Sequence, residues 1–223
     1  MDAPNTATAL DIAIAALSGL FWTLAYVLIV RRGFKEKTFG VPAACLCLNT
    51  SWEFLFAFVF PVPSPAREGN MVWCALDVLM LYQCFRFGRE DYTNALVQRW
   101  FYVWLAIGCG LGFLVEFSFV REFQDTVGRI SGTLSGLVMC VLMNALLLRR
   151  GSVRGQSVFI ALFMFLGNVF GYLMALNPKA PGPAVSNFFL HSMFAVILPL
   201  NCFYIWLVWQ QCRSEGITPW KRW

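Results

Sequence analysis

Seven apolar runs, each roughly 17–25 residues long, divide this chain, and that is the length a helix needs to cross the hydrocarbon core of a bilayer. They fall at residues 10–30, 39–60, 71–87, 100–120, 130–148, 157–176 and 187–209, with the charged residues in short islands between them. Lipid satisfies no open backbone donor or acceptor, so runs of this kind can span only as helices. The expected fold class is therefore all-α, a bundle of seven transmembrane helices, with residues 1–223 forming a single integral membrane domain. Composition agrees, since 59% of the 223 residues are hydrophobic and 13% charged, outside the range of ordinary soluble domains. Met1 to Ala9 is polar and lacks the basic start of a cleaved signal peptide, so the first run is expected to stay in the mature protein.

Cationic side chains give an orientation. Of the 17 Lys and Arg residues, all but Arg67, Arg121, Arg129 and Lys179 lie in the first, third and fifth connections or after the last run. The positive-inside rule then puts the N-terminus outside or in a lumen and the C-terminus in the cytoplasm. A net charge of +5 thus reflects topology and contact with membrane lipids, with no nucleic-acid partner expected. Eight cysteines are scattered without a C-x-x-C pair, and there is a single histidine, His191. Neither a disulfide framework nor a bound metal is expected, and no cofactor. The thiols read as small buried hydrophobes.

Against this background the polar residues inside the runs stand out. Glu53 lies in the second, within Asn49-Thr50-Ser51-Trp52-Glu53-Phe54. An ionisable group at membrane depth costs at least about 2.5–3.5 kcal/mol, and normally persists where it faces a protein interior and does a job. Helical spacing puts Asn49, Trp52, Glu53 and Phe56 on one face. Pro42 is expected to kink this helix near its start. Asp77 is a second acid, in the third run, with Trp73 one turn before it. Two carboxylates at similar depth on adjacent antiparallel helices can hold a proton between them. The structural alternative for both acids is a hydrogen bond that only glues helices together.

The remaining features read more simply. The first run is assigned a scaffold role despite Trp22 and Tyr26. Pro61, Pro63 and Pro65 make a stiff connection, as does 177–183. Gly108, Gly110 and Gly112 permit close helix approach, as does the small face Ser131, Gly132, Ser135 and Gly136. Glu116 is expected to snorkel into the headgroups. Glu90 and Asp91, beside Arg86 and Arg89, read as a salt-bridged surface rather than a Mg²⁺ site. Asn144 and Asn168 are polar spots on apolar helices, Pro199 is expected to open the last helix around Asn201, and His191 reads as a hydrogen-bonded interfacial residue.

Absences narrow the chemistry. None of the runs holds a lysine for a retinal Schiff base, and there is no H-E-x-x-H, no G-x-S-x-G and no aspartate-rich motif for a diphosphate. What remains is buried acid among many aromatic rings, which make up 17% of the chain. An acid kept protonated by apolar surroundings can donate a proton, and aromatic faces stabilise a cation by about 0.5–2 kcal/mol each where water is excluded. That combination suits acid-started carbocation chemistry on an isoprenoid, which would itself partition into a bilayer.

Asn49-x-x-Trp52-Glu53-Phe54 in the second run, the lone Asp77 in the third, and Asn201-Cys202-x-Tyr204-Ile205-Trp206 in the last resemble the membrane-bound terpene cyclases of meroterpenoid and indole-terpenoid pathways, such as the pyripyropene and paxilline cyclases. The resemblance implies a metal-free isomerase-type enzyme of secondary metabolism that protonates the terminal alkene or epoxide of a prenylated, farnesylated substrate. It further implies a prenyltransferase of the same pathway, and a bacterial plasma membrane or endoplasmic reticulum location. The short chain is also similar to bacterial members forming drimane-type products. In that family an acid in the second span and another in the last are implicated in protonation. The first carries over to Glu53, while the second falls at Asn201, which is no acid, so Asp77 is expected to share the work. Asn49, Trp52, Phe56, Trp73, Asn168, Asn201 and Tyr204 are the expected substrate-binding residues. Two other classes stay open: a small proton-coupled transporter using the same acids, and an assembly subunit in which they only bind a partner.

Overall fold

The computed structural model describes residues 8–176 and 187–223, so the polar N-terminal stretch and the expected stiff connection at 177–183 lie almost wholly outside the described residues. Seven helices follow in order: α1 (Ala9–Glu36), α2 (Ala43–Phe54), α3 (Ala66–Phe87), α4 (Ala95–Phe123), α5 (Arg129–Arg150), α6 (Val158–Ala175) and α7 (Asn187–Ser214). No strand occurs among the described residues. Six of these helices are long and apolar enough to cross a membrane; the exception is the shorter segment Ala43–Val59.

Each boundary has a local cause. Thr8 caps α1, its hydroxyl taking the Asp11 N–H while Asp11 takes the Thr8 N–H. Asn94 and Ser157 cap α4 and α6 more simply, their side-chain oxygens accepting first-turn N–H groups with no return bond. Pro42 occupies the position just before the first turn of α2. It therefore starts the helix and does not kink it, because a proline there has no helical hydrogen bond to lose. The distortion comes at the other end, where Leu55–Val59 continues as a π-helical turn closed by Phe60 N–H donating to the Leu55 carbonyl. Arg67 Nε donates to the Ala57 carbonyl at 3.1 Å, so the widened turn does not leave that group open.

Neighbour relations close a ring: α1 packs on α3, α3 on α2, α2 on α5, α5 on α7, α7 on α6, and α6 back on α1. α4 sits outside that ring against α2. Gly112 makes this possible, since a Cβ there would stand 2.6 Å from the Cys47 carbonyl oxygen, and Gly108 adds a close approach to the Cys47 thiol. Gly110, by contrast, faces open space. The ring interior is filled by Met80, Met143, Met164, Tyr26, Cys45 and Tyr204, while Leu114, Trp104 and Val78 point outward. An apolar exterior of this kind is what a lipid solvent selects.

Candidate active site

Three ring helices meet at the acids. Asn49 on α2 donates its amide to Asp77 Oδ2 on α3 at 2.8 Å and to the Tyr26 hydroxyl oxygen on α1 at 2.5 Å. Glu53, one turn along from Asn49, is 3% exposed and Asp77 is fully buried. Glu53 Oε2 is buried without a hydrogen-bond partner, whereas the buried Thr50 hydroxyl lies against the Asp77 carboxyl. Glu53 lies within electrostatic reach of Asp77, and Tyr26 within reach of both. None of the salt bridges among the described residues involves either acid. A buried carboxyl oxygen without a partner forfeits on the order of 1–3 kcal/mol or more, so these groups are not arranged for stability alone.

The face expected to carry Asn49, Trp52, Glu53 and Phe56 together divides into two ridges. Asn49 and Glu53 turn to α1 and α3, whereas Trp52 and Phe56 turn to the start of α5. Trp52 Nε1 donates to Ser131 Oγ at 2.9 Å, and Ser131 Oγ donates to Asp125 Oδ2 at 2.9 Å. Asp125 also takes the N–H groups of Arg129, Ile130 and Ser131, anchoring the N-terminus of α5. The indole lies against Gly128, whose φ is +71° and whose Cβ would meet the ring at 2.4 Å. Phe56 packs 4.8 Å from Trp52, centroid to centroid.

The other expected residues are spread over the ring. Trp73 Nε1, one turn before Asp77 on α3, donates to Thr23 Oγ1 at 2.8 Å across the α1–α3 seam. Asn168 and Asn201 converge on the Cys140 thiol of α5, with Nδ2 at 3.7 and 3.3 Å. α7 stays helical through Pro199 and does not open at Asn201, whose side chain instead donates to the Ile197 carbonyl one turn back. The Tyr204 hydroxyl donates to Gln156 Oε1 and is thereby held to the α5–α6 connection, away from the acids. His191 bonds Tyr172 while exposed, as expected of an interfacial residue.

Two readings need correction. Tyr26 is expected to be scaffold, yet it is 4% exposed and joins the acid cluster; the one tyrosine in that apolar run is the signal that marks it. Glu116 does not snorkel, because it is 4% exposed and takes the Ser135 hydroxyl at 2.8 Å across α4 and α5. No three His, Cys, Asp or Glu side chains gather as a metal site among the described residues.

A polytopic all-helical protein with a hydrogen-bonded acid cluster inside its ring is the class these observations define. The chain belongs to the Pyr4-like transmembrane terpene cyclases, whose family pattern matches residues 2–214. The Pyr4-family terpene cyclase mfmH of Annulohypoxylon moriforme is 30% identical over 160 residues, covering 70% of this chain and 66% of its own length. Terpene cyclase macJ of Penicillium terrestre is 28% identical over 162 residues, 69% of this chain and 62% of its own. Terpene cyclase adrI of Penicillium rubens is 30% identical over 216 residues, 90% and 85%. The chain thus spans just under two thirds of the length of the first two. No solved structure matches it. Family membership makes it an integral membrane protein.

Proposed function

We propose that this chain is a terpene cyclase in which Glu53 delivers the proton that starts cyclisation. The observation carrying this reading is the buried Glu53 carboxyl, with Oε2 unpartnered, beside the Tyr26–Asn49–Asp77 cluster. The acid O–H transfers to the terminal alkene carbon of a prenylated, farnesylated substrate, the π pair forming the new C–H bond and leaving a cation next to it. With an epoxide, the proton goes to oxygen and the C–O bond opens to a hydroxyl. Each further alkene attacks in turn, and the last cation gives its proton back to the Glu53–Asp77 pair, so that the turnover ends with as many acid protons as it began. Trp52, Phe56 and Trp73 supply aromatic walls for the moving charge. Because the Tyr26 oxygen already accepts from Asn49, its O–H is free to serve Glu53 or Asp77, and Asp77 returns a proton to Glu53 between turnovers. Asn201, where the family resemblance places a second acid, cannot donate a catalytic proton, so this chain relies on Asp77 and Tyr26 in its place.

The chain works as a single membrane domain without metal, N-terminus outside or lumenal and C-terminus cytoplasmic, as its cation distribution favours. Its membrane is the bacterial plasma membrane or, in a eukaryote, the endoplasmic reticulum, and a prenyltransferase of the same pathway supplies the substrate. The names of its relatives support a cyclase over a transporter. The test uses membranes carrying the chain and a farnesylated phenol, offered as the alkene and as the terminal epoxide. Glu53→Gln keeps the shape and removes the acid, and turnover is expected to fall at least about 100-fold. Wild-type turnover in that variant refutes the mechanism, and uptake into proteoliposomes without chemical change would favour transport.

A further inference from the structure

Three amides from three helices gather at Cys140 in the ring, apart from the acid cluster, two of them on its thiol and one on its backbone carbonyl. Asn144 and Cys140 lie on α5, Asn168 on α6 and Asn201 on α7, and all four are buried. Asn144 Nδ2 donates to the Cys140 carbonyl at 2.8 Å and to the Leu200 carbonyl at 3.1 Å. Asn201 Nδ2 donates to the Ile197 carbonyl and the Cys140 sulfur, and Asn168 Nδ2 to the same sulfur. The donor side of each amide is thus committed to protein. On the acceptor side, Asn144 Oδ1 is buried with no partner, in a residue only 5% exposed. A carbonyl oxygen left open in an apolar interior calls for a ligand that brings O–H or N–H.

We infer that Asn144, with Asn168 and Asn201, forms the subsite for the hydroxyl or N–H of the ring system that carries the prenyl chain, leaving the distal end of that chain to Glu53. This rests on the cyclase reading for the identity of the substrate.

The probes are 4-farnesylphenol and its O-methyl ether, which differ only in the donor hydrogen. Their binding to the full chain in nanodiscs is read by quenching of tryptophan fluorescence, independently of turnover. Wild-type protein should bind the phenol at least about tenfold more tightly than the ether. In Asn144→Ala that ratio should collapse towards one through loss of phenol binding. Asn144→Asp, which retains an acceptor oxygen, should keep more of it, and Asn168→Ala, which among the described residues loses only the long hydrogen bond to sulfur, gives a milder variant with the same direction. Thermal melting in each variant shows whether the fold persists. Glu53→Gln should discriminate between the probes like wild type, so cyclisation by that variant would sink the acid mechanism while leaving the subsite standing. The subsite is overturned if wild type binds neither probe, or does not distinguish them, or if folded Asn144→Ala and Asn168→Ala keep the full ratio.

Discussion

Two groups of acids in this bundle, one half-buried and one buried, are treated in opposite ways. Where α1 ends and α6 begins, Glu36 meets Arg32 and Arg222 at 2.8 Å each and takes the Gly155 N–H. Asp91 likewise meets Arg149 at 3.0 Å and Arg150 at 2.9 Å. At the end of α2 and the middle of α3, Glu53 and Asp77 meet no guanidinium among the described residues, and Glu53 keeps Oε2 without a partner. The first group spends its charge on joining elements distant in sequence, and removing an acid there strands a cation such as Arg32, itself 5% exposed. The second group is left incomplete by the fold, which is how a group that must exchange a proton with a ligand has to be left.

That contrast can be broken at several points. Glu36→Ala should cost the most, about 3–5 kcal/mol, seen as a large fall in thermal midpoint in detergent, with turnover per folded molecule unchanged. Gly128→Ala comes next, because a side chain at positive φ costs about 1–3 kcal/mol and its Cβ would strike the Trp52 indole; both melting temperature and turnover should drop. Asp77→Asn should leave melting nearly unchanged and lower steady-state turnover about tenfold or more, while a single-turnover burst survives if Asp77 only reloads Glu53. Ser135→Ala is the smallest, a loss of about 1 kcal/mol in the melt, since it removes one hydrogen bond to Glu116.

Much of this was legible in the sequence. Apolar run length located every helix, because the bilayer fixes both length and backbone pairing. Glu53 and Asp77 announced themselves by cost. What pattern could not give is the direction of adjacent residues on one helix face: Trp52 and Glu53 are neighbours in sequence, yet one is turned to Ser131 and Gly128 and the other towards Asp77, and only the packing of α5 and α3 decides that. The π-helical turn after Phe54 has no proline or glycine to signal it. Tyr204 and Gln156 are 48 positions apart, a pairing that only the closure of the ring creates. Arg32 and Arg150 enter the sequence only as part of the charge asymmetry, and their burial in ion pairs depends on the α5–α6 connection and the segment after α7.

The most direct measurement compares Glu53→Gln with Glu36→Gln, reading turnover of the farnesylated phenol and thermal midpoint on the same nanodisc preparations. Glu53→Gln should melt at or above the wild-type temperature and lose at least about 100-fold in turnover, whereas Glu36→Gln should melt lower and turn over normally while folded. A Glu53→Gln protein that melts lower yet cyclises at the wild-type rate would show that Glu53 holds the fold together and does not start the reaction.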